Sequence, residues 1–290
     1  MADCTCVALP ERALLSLQGE EAAGFLNALV SNSVIGLQPG QAAYTALLTP
    51  QGKFLHDFFV TPDPAGPGLL LDVTADRLPD LQRRLTLYRL RTKVGIQPVE
   101  HFRCFAVFGD VPSGLAGSPA FVDPRLPALG WRIWAPANAP PLEPVSDHTA
   151  YEAYRLALGV PDGARDIEVE KGILLENHFE ALHGVDFRKG CYIGQELTAR
   201  TKYRGLVKKQ LHIVQTENGA VLPPAGTLVM LDGAEAGELR SSLNGTGLAL
   251  LRLEAVAKAQ SEGKKLEAGG LALRVRRPDY AGPPPDGGKA

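Results

Sequence analysis

Cysteine, methionine and tryptophan are scarce in this chain of 290 residues, with four, two and two respectively. The four cysteines, at 4, 6, 104 and 191, are too few and too scattered to staple a chain of this length. A disulfide scaffold is therefore excluded and a reducing compartment expected. No apolar run approaches the roughly 18 residues of a membrane span, so no integral membrane protein is expected. The opening MADCTCVALPER lacks a basic region followed by an apolar stretch, and it is too acidic and too poor in Arg and Ser for a transit peptide. A bacterial cytoplasmic location is the expectation. Charge of one sign is also missing: 30 basic against 32 acidic residues gives a net −2, which excludes a globally basic nucleic-acid coat.

Several motifs are absent as well. There is no repeat at 20–50 residues, so no solenoid is expected. There is no phosphate loop, no H-E-x-x-H and no paired C-x-x-C. Cys4 and Cys6 form a C-x-C pair, half of a metal site at most. They are read as an incidental exposed pair at a frayed end.

What is present is turn-rich. Apolar residues make up 45%, and Gly and Pro number 31 and 23. That balance suits short strands, many turns and about two domains. TPDPAGPG (61–68) reads as a turn, residues 111–120 and 135–147 as loops, and 281–290 as a disordered tail. Helical spacing appears in 20–30, with Phe25, Leu26 and Leu29. FLHDFFV (54–60), GLLLDV (68–73), 94–99 and 104–108 read as strands. Asp76 is expected to cap a helix bearing Leu78, Leu81, Leu85 and Tyr88 on one face, with Pro79 in its first turn. A helix over 149–159 would be closed by Gly159 and Pro161. After residue 205 helical signal fades, and LVKKQLHIV, GTLVML, GLALLRL and LALRVRR suggest an antiparallel sandwich or barrel. The expected class is α+β, not a doubly wound parallel sheet.

The stretch richest in chemistry is DFRKGCYIGQELTARTKYRGLVKK (186–209). From Arg188 to Lys209 seven basic residues face one acid, Glu196, a local +6 that attracts carboxylates, phosphates or nucleic acid. Cys191 follows Arg188 and Lys189, whose charge can favour a thiolate. Gly190 and Gly194 bracket it and allow a sharp turn. A Cys/His hydrolase would require a positioned base such as His178 or His183. RNA binding would require exposed aromatics, and only Tyr192 and Tyr203 are at hand, so direct nucleic-acid binding is not expected.

K-G-C-Y-I-G-Q-E (189–196) resembles the signature of the YgfZ family of folate-binding proteins, related to the aminomethyltransferase (T-protein) of the glycine cleavage system. The likeness continues through L-T-A-R (197–200) and Gly205. G-V-P-D-G-A-R-D-I (159–167) resembles the branch that includes the mitochondrial iron–sulfur assembly factor. G-E-E-A-A-G-F-L-N-A-L-V-S-N-S-V, L-T-P-Q-G-K-F-L-H-D and Y-R-L-R-T-K-V (88–94) extend it over most of the chain.

The resemblance implies a three-domain T-protein-like fold around a central hole that holds folate. Residues 1–48 plus 102–205 would form the body, 49–101 an inserted ferredoxin-like part, 206–278 a C-terminal antiparallel β-barrel and 279–290 a disordered tail. It implies a tetrahydrofolate-binding accessory protein for assembly or repair of [4Fe–4S] proteins, with effects on tRNA modification through iron–sulfur enzymes. Its partners would be assembly proteins or client apo-enzymes. The alternative is a folate-dependent aminomethyl-type transferase, which would need a carboxylate near the folate nitrogens; Asp72, Asp76 and Asp80 lie in the right region. Cys191 is implied as the working thiolate. Lys189, Tyr192, Gln195, Glu196 and Arg200 are implied around tetrahydrofolate or a one-carbon derivative, with Lys189 and Arg200 near one mouth of the site. One cysteine cannot hold a cluster that takes four protein ligands, so any cluster on Cys191 would be transient and shared.

Overall fold

The structure, a computed structural model, describes residues 4–109, 120–138 and 145–283. Residues 111–119 and 139–144 of the expected loops, and 284–290 of the expected tail, lie outside the described residues. The chain divides into two compact units, residues 1–50, 55–150 and 182–195 in the first and 51–54, 151–181 and 196–290 in the second.

In chain order the elements of the first unit are β1 (Thr5–Ala8), β2 (Arg12–Gln18), α1 (Ala22–Asn27), β3 (Ala43–Leu48), β4 (Phe54–Pro62), β5 (Gly68–Thr74), α2 (Leu78–Arg89), β6 (Gly95–Val99), β7 (Phe102–Phe108), β8 (Ala120–Val122), β9 (Trp131–Pro136) and β10 (Val145–Ser146). Among the described residues they build two five-stranded sheets, ordered β3-β4-β5-β2-β6 and β10-β1-β7-β9-β8. The segment 49–101, expected as an insertion, supplies β4, β5 and β6 to the same sheet as β2 and β3. Every residue from Phe54 to Thr61 is buried, which explains why this run is apolar without alternation.

Three expectations are corrected here. Cys6 is buried in β1, between β7 and β10, and packs with Phe105, Val107 and Ile133, so backbone pairing orders the end expected to be frayed. Asp76 makes no capping bond; it lies in a 3-10 turn (Ala75–Arg77) that carries the chain into α2. Leu78, Leu81 and Leu85 are buried as expected, but Tyr88 is 37% exposed. The last turn of α2 stands clear of the core, and Leu90 beyond it reverses the chain with φ +46°.

A buried charge network ties the two sheets of this unit together. Asp72 in β5 is fully buried. Arg12 Nε of β2 donates to its Oδ1 at 2.6 Å, while Arg132 Nη1 and Trp134 Nε1 of β9 donate to Oδ2 at 3.3 and 3.4 Å. Arg132 Nε also donates to Asp123 Oδ2 at 3.3 Å, and Arg125 donates to both oxygens of Asp123 at 3.0 and 2.7 Å. Burial raises the Asp123 carboxyl, but Arg125 and Arg132 outweigh it and hold the group below its ordinary value. Three guanidiniums surround the Phe59 ring, with Arg132 closest at 4.2 Å, so the aromatic face supplies part of the negative surface they need.

The second unit contains α3 (His148–Leu158, from Tyr151 onward), α4 (Gly163–Asp166), α5 (Gln195–Tyr203, from Glu196 onward) and the strands β11 (Lys209–Thr216), β12 (Leu228–Leu231), β13 (Ala234–Leu243), β14 (Thr246–Arg252), β15 (Leu266–Ala268) and β16 (Leu271–Arg276). The strands close an antiparallel barrel of six, β11-β14-β13-β12-β15-β16, so the expected C-terminal barrel is present. Gly159 ends α3 with φ +78°, and a Cβ there would meet Pro278 and Ile213 at under 3 Å. The helices α4, α5 and α6 went unread; α6 (Leu253–Glu262) follows β14 directly, burying Val256 and Ala259 and ending at left-handed Gly263. Its Ala, Lys, Gln and Glu residues favour helix, but with few apolar positions it gives a weak periodic signal.

Removing one partner from a buried ion network leaves the others uncompensated. Asp72→Asn is expected to lower unfolding stability by about 3–5 kcal/mol, while Asp76→Asn, at an exposed position, changes it by less than about 0.5 kcal/mol. Urea denaturation of both variants checks this.

Candidate functional site

The segment 182–195 returns to the first unit and is laced by polar contacts to the turn after α1. Ser31 Oγ donates to Gly184 O at 2.6 Å, and the Asp186 amide donates to Ser31 O at 3.0 Å. Asn32 Nδ2 donates to His183 O at 2.7 Å and Tyr44 O at 2.9 Å. Leu182 and Val185 are buried at its start, and these hydrogen bonds fix the path of the loop against the turn.

Lys189 reaches inward from this loop. Its Nζ donates to Asn27 O at 2.8 Å, Val30 O at 2.6 Å and Asn32 O at 2.8 Å. It also lies 5.3 Å from the Tyr192 ring centre. Burial lowers its ammonium to about 8, opposed by the Asp186 carboxylate. Cys191, two residues on, is exposed; Cys4 is half-buried, and Cys6 and Cys104 are buried. Burial pushes the Cys104 thiol far up, which makes it inert. The Tyr192 amide donates to Gln195 Oε1 at 3.2 Å and the Gln195 amide to Tyr192 O at 3.4 Å, closing the turn. Gly194 has φ +79° and needs glycine there, whereas a Cβ at Gly190 would meet open space.

The structure therefore gathers Lys189, Cys191, Tyr192 and Gln195 into one turn of the first unit. Glu196 and Arg200 belong to the second, where they form an i,i+4 ion pair on the exposed face of α5.

The other candidates separate by environment. Asp72 belongs to the buried network described above. Asp76 is exposed. Asp80 takes bonds from Arg83, Arg84 and His56 at 2.7, 2.7 and 2.9 Å. Partial burial works to raise the Asp80 carboxyl, but Arg84, Arg83 and His56 outweigh it and keep it ionised. His178 donates Nε2–H to Leu211 O at 2.8 Å inside the second unit, and His183 is exposed with no side-chain hydrogen bond among the described residues. Neither has the arrangement of a base activating a thiol. Among the described residues, no group of three or more His, Cys, Asp or Glu could hold a metal ion, and no helix is long and apolar enough to cross a membrane.

The second unit holds a polar cavity of about 300 Å³, between the 166–177 segment and the barrel. Lys53, Glu176, Asn177, Lys209 and Arg240 line it. Asn177 is 2% exposed and its Oδ1 has no hydrogen-bond partner; the buried Arg240 Nε likewise has none. Burial raises the Glu176 carboxyl, opposed by Lys209, Lys53 and Arg240. Both atoms are shielded from solvent, and the cavity itself offers a carboxylate beside lysine and arginine cations, a lining that suits a polar ligand. Of these residues only Lys209 fell within the basic stretch singled out in the sequence. The rest are scattered along the chain and carry no local motif.

Comparison with known proteins first defines the class. A solved structure of the glycine cleavage system aminomethyltransferase T from Bartonella henselae matches with a TM-score of 0.76 at 15% identity, covering 97% of this chain and 86% of that one. The chain thus has the α+β aminomethyltransferase fold with a closed C-terminal barrel. The family described as the C-terminal β-barrel domain of CAF17 matches residues 208–283. Among relatives, the mitochondrial iron–sulfur cluster assembly factor IBA57 of Mus musculus is 33% identical, covering 95% of this chain and 85% of its own. That of Homo sapiens is 32% identical with the same coverage. The IBA57 homolog of Neurospora crassa is 32% identical over 70% of this chain and 52% of its own. The chain belongs to the IBA57 iron–sulfur cluster assembly factor family.

Burial lowers the His178 ring from 6.5 to about 4, against the Leu211 carbonyl it bonds. Between those values the unfolded chain binds a proton that the folded chain refuses, so stability falls as pH drops from about 6.5 to 4, by up to roughly 3 kcal/mol from this residue. His178 has φ +57°, a conformation asparagine tolerates. His178→Asn is expected to flatten the acid limb of the melting-temperature profile; an unchanged slope would assign that limb to other groups.

Proposed function

We propose that this protein is an iron–sulfur cluster assembly factor that works with a reduced folate and uses Cys191 as its thiol. The carrying observation is that Cys191 alone of the four cysteines is exposed, on a turn fixed by its own motif residues. The names of the relatives support the iron–sulfur role. The cluster is cargo here. One thiol supplies one of the usual four ligands, so the others come from an assembly protein or a client apo-enzyme. The YgfZ-like motif supports the [4Fe–4S] and folate parts of the reading, and places effects on tRNA modification downstream, through iron–sulfur enzymes. Four free thiols support a reducing compartment, in our reading the bacterial cytoplasm.

For the folate we favour the cavity of the second unit. A pterin edge carries ring and amino N–H donors beside acceptors, and the glutamate tail carries carboxylates. Glu176 suits the donors, the Arg240 guanidinium an acceptor, and Lys53 and Lys209 the tail. When bound, the folate would supply a one-carbon unit or its acceptor; the residues bind and orient it and shield its edge from water.

Two measurements test the reading. Cys191→Ala should fold normally yet fail to restore iron–sulfur enzyme activity in a deletion strain; full rescue would reduce the thiol to a surface residue. Lys209→Ala should weaken tetrahydrofolate binding by about tenfold in calorimetry, since a partly desolvated charge-assisted bond contributes about 1.5–3 kcal/mol. Unchanged affinity would move the folate out of this cavity. Turnover of methylene-tetrahydrofolate with an amine donor by the purified protein would favour the transferase alternative.

A further inference from the structure

We propose that Lys189 is a positioning residue. Its ammonium is an internal cation that gathers the carbonyls of Asn27, Val30 and Asn32 and so fixes the turn presenting Cys191. This rests on the reading of Cys191 as the working thiol.

The geometry carries the argument. An ammonium has three N–H donors in tetrahedral array and no acceptor. All three are directed at backbone carbonyls, at 2.6, 2.8 and 2.8 Å. No donor is left for a folate carboxylate or a partner, so the side chain cannot receive a ligand without releasing the backbone. The carbonyls converge from the end of α1 and the turn beyond it. Helix ends leave such carbonyls without intrahelical partners, and leaving them desolvated and unpaired is costly. Lys189 answers them from a residue more than 150 positions away. The stem is half-buried and the head lies against the Tyr192 ring, so both ends of the turn are attached to one side chain.

The rest of the turn could not hold itself. A Cβ at Gly190 would meet open space, Cys191 is exposed and Gly194 sits in the left-handed region. The Asp186 amide to Ser31 O and the Tyr192–Gln195 pair flank the span, and Lys189 ties its middle to the turn after α1 with three bonds. Arginine cannot replace it. A planar guanidinium presents its donors in a fixed fork, not toward three converging acceptors.

The test is amide hydrogen exchange on the full chain. In Lys189→Ala, residues 28–34 and 186–195 should exchange at least about tenfold faster while the barrel strands stay unchanged. Propylammonium chloride, which can refill the carbonyl cradle, should restore protection, and sodium chloride should not. Lys189→Arg should behave like Lys189→Ala. Tetrahydrofolate affinity of Lys189→Ala should stay within about twofold of wild type. If the variant does not fold, the Nζ resonances of lysine-labelled wild type decide. One ammonium protected from water exchange supports the proposal, and rapid exchange of every lysine ammonium overturns it. Unchanged amide exchange in Lys189→Ala also overturns it, as does a large loss of folate affinity without faster exchange. Cys191→Ala should keep wild-type protection. Full rescue by that variant would end the thiol reading and leave the clamp standing, so the two failures are distinguishable.

Discussion

The Asp72 carboxylate, buried between Arg12 and Arg132, is the interaction on which the first unit depends. It joins β2 and β5 of one sheet to β9 of the other, and neither guanidinium could stay in that interior alone. The consequence runs outward to the thiol. Arg132 leads to Asp123 and Arg125, and Arg125 lies 5.4 Å from the Tyr44 ring centre. The Tyr44 hydroxyl donates to Asp57 at 2.8 Å, and burial, with Asp57 beside it, raises that phenol well above its ordinary range. The Tyr44 carbonyl accepts from Asn32, and the Asn32 carbonyl accepts from Lys189. A contiguous set of contacts, one of them the Arg125–Tyr44 ring contact, thus leads from the sheet interface to the residue two positions before Cys191.

Elements whose own residues determine their state were legible in the sequence. The run 54–60 is rich in apolar residues on both faces because the strand is buried along that whole length. The 149–159 helix ends at Gly159 because the barrel and Pro278 leave no room for a Cβ. The barrel strands show as short apolar segments between Gly and Pro. Elements set by distant partners were not legible. Cys6 looked like part of a frayed end, and only its pairing with β7 orders it. Tyr88 has the right spacing for the buried face of α2, yet spacing does not say where the core ends. β13 mixes charge with small residues, and its place in the barrel comes from β12 and β14 on either side.

The site divides in the same way. The exposed thiol and the glycine-allowed turn could be read locally, because Gly194 and the charge beside Cys191 are neighbours in the chain. The work of Lys189 could not: a cation before a cysteine reads as a ligand or as a thiolate stabiliser. The carbonyls that occupy it come from a turn that no pattern links to residue 189. Glu196 and Arg200 read as ligand contacts for a similar reason, although their i,i+4 spacing on a helix suffices to pair them with each other. Glu176, Asn177 and Arg240 left no trace, since a cavity between a loop and a barrel is a property of packing.

Likeness to an aminomethyltransferase at 15% identity establishes the fold and leaves the chemistry to the side chains. Acid–base work on a folate nitrogen requires a carboxyl that can hold and release a proton near neutrality. Asp80 is drawn away from that range by Arg83, Arg84 and His56, and Asp72 is committed to two guanidiniums in the core. Glu176 moves the other way. Burial raises it even with Lys53, Lys209 and Arg240 nearby, and it lines the cavity of the second unit. Among these carboxyl groups it is the one whose surroundings favour keeping a proton, or meeting the N–H edge of a heterocycle. The charge balance of the fold therefore points away from Asp72 and Asp80, which lay in the right region of the sequence, and toward Glu176.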